Sequence, residues 1–384
     1  MTCPEEYNAI QDVVKLLATD GFDALGEAMR RIINEAMRLE RQNHLGVDPY
    51  ERSEMRNGYA NGYKPKTVQT RIGALDLDVP QVRDSSFYPS SLEKGLRSER
   101  ALKIALAEMY VQGVSTRKVA KITEQLCGFE VTSTQVSRAA KGLDDVLEQW
   151  RNRPLGAYPY VYLDARYEKV RDNGSVIDMA ILVAIGVSET GHRQILGTSV
   201  ALSEQEAHWR SFLRNLQQRS LHGIKLFISD AHEGLKAARK AVFPSIPWQR
   251  CQFHLQQNAQ SYVPKQDMKK EVAAGIRNIF NAPTETEAKR LLNQLLERYK
   301  KSAPRLVAWA EQNLQEGFTV FRYPSDHWRR IRTSNVLERV NREIRRRTRV
   351  ATIFPNEASC SRLVSAVLME ISEEWETGRV YLKF

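Results

Sequence analysis

Cysteine is scarce and scattered. The 384 residues hold four, Cys3, Cys127, Cys251 and Cys360, with no Cys-x2-Cys pair. That excludes a disulfide scaffold and a zinc site built from cysteine alone. Long apolar runs are missing too. The longest uninterrupted one lies around Met179 to Val187, far short of the roughly 20 residues a membrane-spanning helix needs. The opening residues, MTCPEEYNAIQ, are acidic and carry no apolar secretory core, so a cytoplasmic protein is expected. No Gly-x4-Gly-Lys-Ser/Thr loop occurs, which agrees with a chemistry that uses no nucleotide cofactor. Acid is in deficit: Asp and Glu total 46 against 57 Lys and Arg, a net charge of +11. Such a balance disfavours cationic substrates and suits nucleic acid or an anionic surface.

What is present reads as an ordinary globular chain, 42% hydrophobic and 27% charged, long enough for two or three domains. No repeat and no low-complexity tract is seen. Residues 8–45 carry apolar side chains at spacings of three and four, among them Ile10, Val13, Val14, Leu17, Leu25, Met29, Ile32, Ile33 and Met37. These predict helix, interrupted at Gly21 and ended at Gly46. RNGYANGY contains two Asn-Gly pairs, which are turn signals. TVQTRIGALDLDVPQVRD then alternates as a hairpin does, with the bend expected at Gly73-Ala74. Residues 98–150 return to helix. Ser115 is placed to cap one short helix, Gly128 to turn the chain, and Thr132 or Ser133 to cap the next, which reads as a helix-turn-helix. A helical hairpin without nucleic-acid contact has the same pattern. Thr134, Gln135, Ser137 and Arg138 open the second helix and are residue types that read DNA grooves.

From residue 158 the texture changes. YPYVYLDA, VIDMAILVAIGV, RQILGTSVAL, GIKLFISD and PWQRCQF read as strands, and EAHWRSFLRNLQQRSL, HEGLKAARKAVF and HLQQNAQSYV as helices. The order βββαβαβα matches a ribonuclease H-like α/β fold with a mixed sheet. Residues 264–325 show no strand signal and read as an all-α insertion, followed by a final helix, TSNVLERVNREIRRRTR. The expected organisation is a helical region at 1–48, a hairpin region at 49–97, a helix-turn-helix domain at 98–152 and the catalytic domain at 153–384.

In that fold Asp164 ends the first strand and Asp230 the fourth. The two strands are parallel neighbours about 4.8 Å apart, so both carboxylates reach one sheet edge. One or two Mg2+ or Mn2+ ions suit such oxygen ligands, and two-metal phosphoryl chemistry uses metals ~3.5–4 Å apart. An Asp after a strand is more often a loop or capping residue; two at equivalent strand ends shift the balance. Glu338 is the third candidate acid. On an ideal helix Asn335, Glu338, Arg342, Arg345 and Arg349 share one face and Leu337, Val340 and Ile344 another. A Glu338–Arg342 pair on a solvated helix is the plainer alternative. Residues 329–349, however, hold nine Arg and two Glu, a density that suits a phosphate backbone.

These motifs resemble the Mutator-type transposases of bacterial insertion sequences, a DDE group. YLDARYEK around Asp164, SDAHEGLKAARKAVFPSIPWQRCQFHLQQN around Asp230 and TSNVLERVNREIRRRTRVATIFPN around Glu338 carry the resemblance, with RNGYANGY before them. It implies that Asp164, Asp230 and Glu338 form a metal-binding catalytic triad with Mg2+ or Mn2+. It also implies a Cys-x2-His signature at Cys251 and His254, and a matching pattern at Arg339, Asn341 and Arg345. The pair Cys251/His254 reads as half a zinc site, as a buried structural pair, or as a histidine near the scissile phosphate. Trp309 and Trp328 flank the insertion and read as core, with base stacking as the alternative.

The expected function is a transposase that binds terminal inverted repeats of double-stranded DNA, cuts at its element's ends and transfers the strand to target DNA. At least a homodimer is expected, because two ends must meet. Nucleoid association would follow. Arg339, Asn341, Arg342, Arg345 and Arg349 are expected on DNA together with Thr134, Gln135 and Arg138. The rivals are a metal-dependent nuclease or resolvase of the same fold that does not join strands, and a DNA-binding regulator with a dead core.

Overall fold

The computed structural model describes residues 9–47, 51, 53, 56–83, 86–92, 94–95, 97–349 and 352–384. Cys3 lies outside them, as do Val350 and Ala351 of the Glu338 motif. The chain divides into two compact units, Met1–Gly142 and Leu143–Phe384.

In the first unit, α1 (Ala9–Asp20) gives way to a short 3-10 turn at Gly21–Ala24, and α2 (Leu25–Leu45) follows. Gly46 closes α2 with φ +68°, a conformation that a residue without Cβ adopts at little cost. Strands β1 (Tyr59–Thr70) and β2 (Gly73–Arg83) form an antiparallel ribbon. Its bend is Arg71-Ile72, two residues before the expected Gly73-Ala74, because Thr70 already pairs with Gly73. Neither Asn-Gly pair makes a hairpin turn. Asn57-Gly58 precedes β1, and Asn61-Gly62 sits within it where the register slips between Ala60 and Tyr63; a bulge satisfies the same left-handed glycine as a turn does. Met37 of α2 packs on Val68, Leu75, Leu77, Val79 and Leu92, so the alternation in β2 is a buried face.

Helices α3 (Arg100–Val111), α4 (Thr116–Cys127) and α5 (Ser133–Lys141) share a core of Leu102, Leu106, Val119, Val131 and Val136. The Ser115 hydroxyl accepts the Lys118 N–H, and Thr132 caps α5 in a reciprocal capping box with Gln135. Each cap removes an orphan donor that a helix start would otherwise leave.

The second unit opens with α6 (Asp144–Asn152), which sequence reading attached to the helices before it. Its partners explain the difference: Arg362 donates to Asp144 at 2.6 and 2.8 Å, and Arg151 to Ser365. Strands β3 (Tyr160–Asp172), β4 (Ser175–Val187) and β5 (Arg193–Ala201) form an antiparallel meander. Then come α7 (Glu206–Gln218), β6 (Leu226–Ser229), α8 (Glu233–Val242), β7 (Trp248–Arg250) and α9 (Gln252–Ala259). The sheet order is β5-β4-β3-β6-β7, with β6 parallel to β3 and β7 parallel to β6. The element order matches expectation, but β3 does not end at Asp164. It runs eight residues further, into an Asn173-Gly174 turn in which both residues have positive φ. That dipeptide is a strong hairpin signal, and it folds β3 back on β4 over its whole length.

Helices α7 and α8 cover one face through Trp209, Phe212, Leu213, Leu216, Leu235 and Ala238. Three helices of the insertion, α10 (Met268–Phe280), α11 (Glu285–Tyr299) and α12 (Pro304–Asn313), build a separate core around Ile276, Leu292 and Leu306. Next are α13 (Ser325–Ile331) and α14 (Asn335–Thr348). Helix α14 is not the last one. A 21-residue α15 (Glu357–Thr377) follows, capped by Asn356, and packs on β5, β3 and α14. Its apolar residues surround much of the helix, which weakens the amphipathic stripe that reveals a helix in sequence.

Because α15 is core, Leu368→Ala, at a fully buried position, should cost roughly 2–5 kcal/mol. Denaturant unfolding checks this; a midpoint within error of wild type would place α15 outside the cooperative core.

Candidate active site

The site begins with the alternation of β3. Val161 and Leu163 face the core under α7 and α8, so residues 160, 162, 164, 166 and 168 face the opposite side. Each of them is bonded to the α13–α14 segment or its flank. Tyr160 Oη meets His327 Nδ1 at 2.7 Å, and Tyr162 Oη donates to the Arg330 carbonyl at 3.0 Å. Asp164 Oδ2 accepts from Asn341 Nδ2 at 2.7 Å. Arg166 donates to the Asn341 carbonyl and to Glu168, and Thr348 Oγ1 donates to Glu168 at 2.9 Å. The helix is thus stitched to the strand at alternate residues.

Parallel pairing of β3 with β6 stops at Leu163 opposite Ser229. The next residues are Asp164, still within β3, and Asp230, directly after the end of β6. Asp230 Oδ1 accepts the Ala231 N–H at 2.7 Å, and its other oxygen lies 3.9 Å from His254 Nδ1. Burial pushes the Asp164 carboxyl up to about 6, against the hydrogen bonds from Ala165 and Asn341. Beside it, hydrogen bonding to Cys251 raises His254 to about 9, helped by the charges of Cys251, Asp230 and Asp164 and opposed by burial. Burial raises the Cys251 thiol, but hydrogen bonds from His254 and Ser334 outweigh it and bring the thiol down. Cys251 is fully buried, and its sulfur accepts the Ser334 N–H at 3.3 Å. Cysteine therefore serves the packing at the start of α14, while the histidine three residues on faces the cleft.

Helix α14 buries Leu337, Val340 and Ile344 completely, which turns Glu338 towards the two aspartates. Asp164, Asp230, His254, Glu338, Arg342 and Arg345 line one open cleft of about 830 Å3, with Arg349 at the same opening. Arg342, Arg345 and Arg349 are exposed and have no ion-pair partner among the described residues. The Glu338–Arg342 pair is not formed. Instead Glu338 Oε1 is buried with no hydrogen-bond partner among the described residues.

Among the described residues, no three His, Cys, Asp or Glu side chains stand close enough to cage a metal ion unaided. The donor set still fits Mg2+ or Mn2+. It is made of carboxylate oxygens, one of them an orphan and one carboxyl short of cationic partners. Mg2+ in particular is commonly held by one or two carboxylates plus substrate phosphate rather than by a complete protein cage.

The profile of the Mutator family of transposases matches residues 2–378. The chain belongs to the Mutator family of transposases. It is 56% identical to the transposase of insertion sequence element IS406 from Burkholderia multivorans, over 99% of this chain and 98% of that one. It is 36% identical to the IS256 transposase of transposon Tn4001 from Staphylococcus aureus, over 98% and 96%. A solved Mos1 transposase paired-end complex is 14% identical, covering 60% of this chain and 83% of that one, at a TM-score of 0.17. So low a score leaves the fold to be read from the sheet itself.

Several residues of the transposase are placed differently from expectation. Arg339 lies off the cleft, in a groove with Glu343, Arg347 and Trp375. Asn341 spends its amide on Asp164 rather than projecting to a ligand. The arginine density is also partly internal: Arg346 and Arg347 pair with Glu343, and Arg347, almost wholly buried, also with Glu370. In the first unit, Thr134 and Arg138 are exposed, whereas the Gln135 side chain closes the capping box and donates to Gln69 Oε1 at 3.3 Å. Trp309 stacks on Tyr262 with centroids 5.3 Å apart, and the Trp328 indole donates to the Tyr323 carbonyl at 2.8 Å. Sequence reading missed Arg166, Glu168 and Thr348. Their signal was the period of two in ARYE, which continues the strand beyond Asp164.

A carboxyl with its pKa raised in the fold, here from 3.8 to about 6, destabilises the folded state wherever it must ionise. The cost is complete above about pH 6 and vanishes below about pH 4, where the group is neutral in both states. Asp164→Asn should therefore stabilise the metal-free protein at pH 7 by roughly 1–3 kcal/mol, and not at pH 3.5. Thermal unfolding in EDTA at the two pH values checks the sign; a destabilised variant at pH 7 would refute it.

Proposed function

We propose that the chain is a metal-dependent transposase that acts on the ends of its own insertion sequence. The observation that carries this is the cleft itself, with Asp164 and Asp230 at adjacent strand positions, Glu338 facing them, and arginines around the opening. Strand order β5-β4-β3-β6-β7 with an antiparallel meander first supports the ribonuclease H-like reading. The substrate in this reading is double-stranded DNA, first the terminal inverted repeats and then the target.

Asp164, Asp230 and Glu338 would hold Mg2+ or Mn2+. When bound, the ions supply activation of the attacking oxygen and stabilisation of the leaving one. The rest falls to the chain's own groups. Arg342, Arg345 and Arg349 offer guanidiniums to phosphate oxygens and set the backbone in position. His254, with Nδ1 3.9 Å from Asp230, faces the same cleft and would offer its ring to a phosphate oxygen there. Water is the first nucleophile and frees a 3′-hydroxyl at the element's end. That hydroxyl attacks a phosphodiester of the target, and one P–O bond forms as another breaks. No external energy source enters, and no covalent enzyme intermediate is needed.

End recognition is assigned to the first unit. The capped pair α4–α5 supports a helix-turn-helix, with Thr134, Ser137 and Arg138 exposed at the start of α5. Pairing of two ends calls for at least a homodimer.

Replacing Asp164, Asp230 or Glu338 by Ala should abolish cleavage of terminal-repeat DNA in Mg2+ while leaving its binding nearly intact, because a lost carboxylate relieves repulsion with phosphate. Near wild-type cutting by any one variant removes that residue from the triad. A pre-cleaved end tests joining: transfer to target DNA supports a transposase, and hydrolysis without transfer supports a resolvase-like nuclease.

Arg345→Ala should weaken DNA binding about equally for all sequences and lower the salt slope by about one. Arg345→Lys should recover only part, since an ammonium lacks the bidentate fork. A slope that stays at the wild-type value would mean that Arg345 meets no phosphate.

A further inference from the structure

The family pattern around Glu338 includes Asn341, and sequence reading set it among the DNA-contacting residues. Its surroundings point elsewhere. Asn341 is one turn beyond Glu338 on α14, so both side chains rise from the same face. Its side chain is half-buried, and its Nδ2 lies 2.7 Å from Asp164 Oδ2. The backbone of the same residue is held as well, because Arg166, two positions along β3 from Asp164, donates to the Asn341 carbonyl. Arg166 is itself fixed by Glu168, which Thr348 ties to the end of α14. Strand β3 therefore holds Asn341 at both its carbonyl and its side chain, with the amide nitrogen directed at Asp164.

We propose that Asn341 is a positioning residue for metal binding: it ties up one oxygen of Asp164 and leaves the other turned to the cation shared with Asp230 and Glu338. This rests on the triad reading above. An Asp rotates about two side-chain bonds, and the rotation decides which lone pairs enter the cleft. A donor on Oδ2 selects one rotamer before metal arrives. The same hydrogen bond sets the spacing of Glu338 from Asp164, because donor and Glu338 share a helix turn. Asparagine suits the task better than a cation would. Lys or Arg at 341 would neutralise Asp164 and compete with the metal, whereas an amide orients the carboxylate and leaves its charge available.

The test is Mn2+ binding to the full chain without DNA, followed by electron paramagnetic resonance titration, in wild type, Asn341→Ala, Asp164→Ala and the double variant. Loss of a group that orients a ligand typically weakens metal affinity about 10–100-fold, so Asn341→Ala should bind Mn2+ at least tenfold more weakly. In the Asp164→Ala background the same change should have almost no further effect, because its partner is gone. Raising Mn2+ should restore most cleavage to Asn341→Ala, and binding to terminal-repeat DNA in EDTA should match wild type. Asn341→Leu, of similar size and better helix propensity, repeats the test if the Ala variant unfolds. Three results overturn the role. Wild-type Mn2+ affinity in Asn341→Ala refutes it alone, with the triad intact. Equal losses from Asn341→Ala with and without Asp164 show that it acts through something else. Absence of Asp164-dependent Mn2+ binding both in the free wild type and in its complex with terminal-repeat DNA refutes the triad, and this role with it.

Discussion

The second unit depends on the seam between β3 and the α13–α14 segment. A strand sends alternate side chains to one face, and five successive ones on β3 are hydrogen-bonded along this segment, from Tyr160 at His327 to Glu168 at Thr348. The seam does two things at once. It satisfies polar groups that would otherwise be buried unpaired, and it sets the height of Glu338 above the sheet edge. Because Leu337, Val340 and Ile344 are fully buried on the same helix, α14 cannot rotate to relax a strained polar contact without exposing its apolar face. Polar register and apolar burial fix the same orientation.

A cost accompanies this arrangement. Asp164 sits where burial disfavours its charge, Glu338 Oε1 has no hydrogen-bond partner among the described residues, and three arginines stand side by side without acidic partners there. An optimised resting fold would pair or remove such groups. Their combination is intelligible if an ion and a phosphate backbone complete the site, since each unmet charge then has a counterpart. The pairing of Arg346 and Arg347 with Glu343 and Glu370 sharpens the contrast. On one helix, some guanidiniums are paired with the protein's own carboxylates and others are left at the cleft.

Cys251 and His254 divide their labour by depth. The thiol lies under the start of α14 and receives the Ser334 N–H, while the imidazole emerges beside Asp230. Spacing alone leaves the pair open between zinc, packing and chemistry; the structure puts Cys251 in the packing and His254 at the cleft. The insertion helices pack on their own core and leave the strand order of the sheet uninterrupted. Among the described residues no helix is long and apolar enough to cross a membrane.

Much of this is legible in the amino-acid sequence alone. Strand and helix periods gave the element order of the second unit, the caps at Ser115 and Thr132 follow from local chemistry, and the helix faces of 335–349 follow from geometry at 100° per residue. These are short-range properties, set within a few residues of sequence. Other features were not local. The reach of β3 beyond Asp164 depends on pairing with β4, the depth of α15 on what surrounds it, and the allegiance of α6 on Arg362, more than 200 residues away. The pairs of Arg346 and Arg347 with Glu343 follow from helix spacing, but the second partner of Arg347, Glu370, is met only once α14 and α15 pack together. Asn341 is the clearest case. Its residue type allows DNA, solvent or a carboxylate as partner, and only the tertiary structure, by bringing β3 within 2.7 Å of it, decided which one it meets.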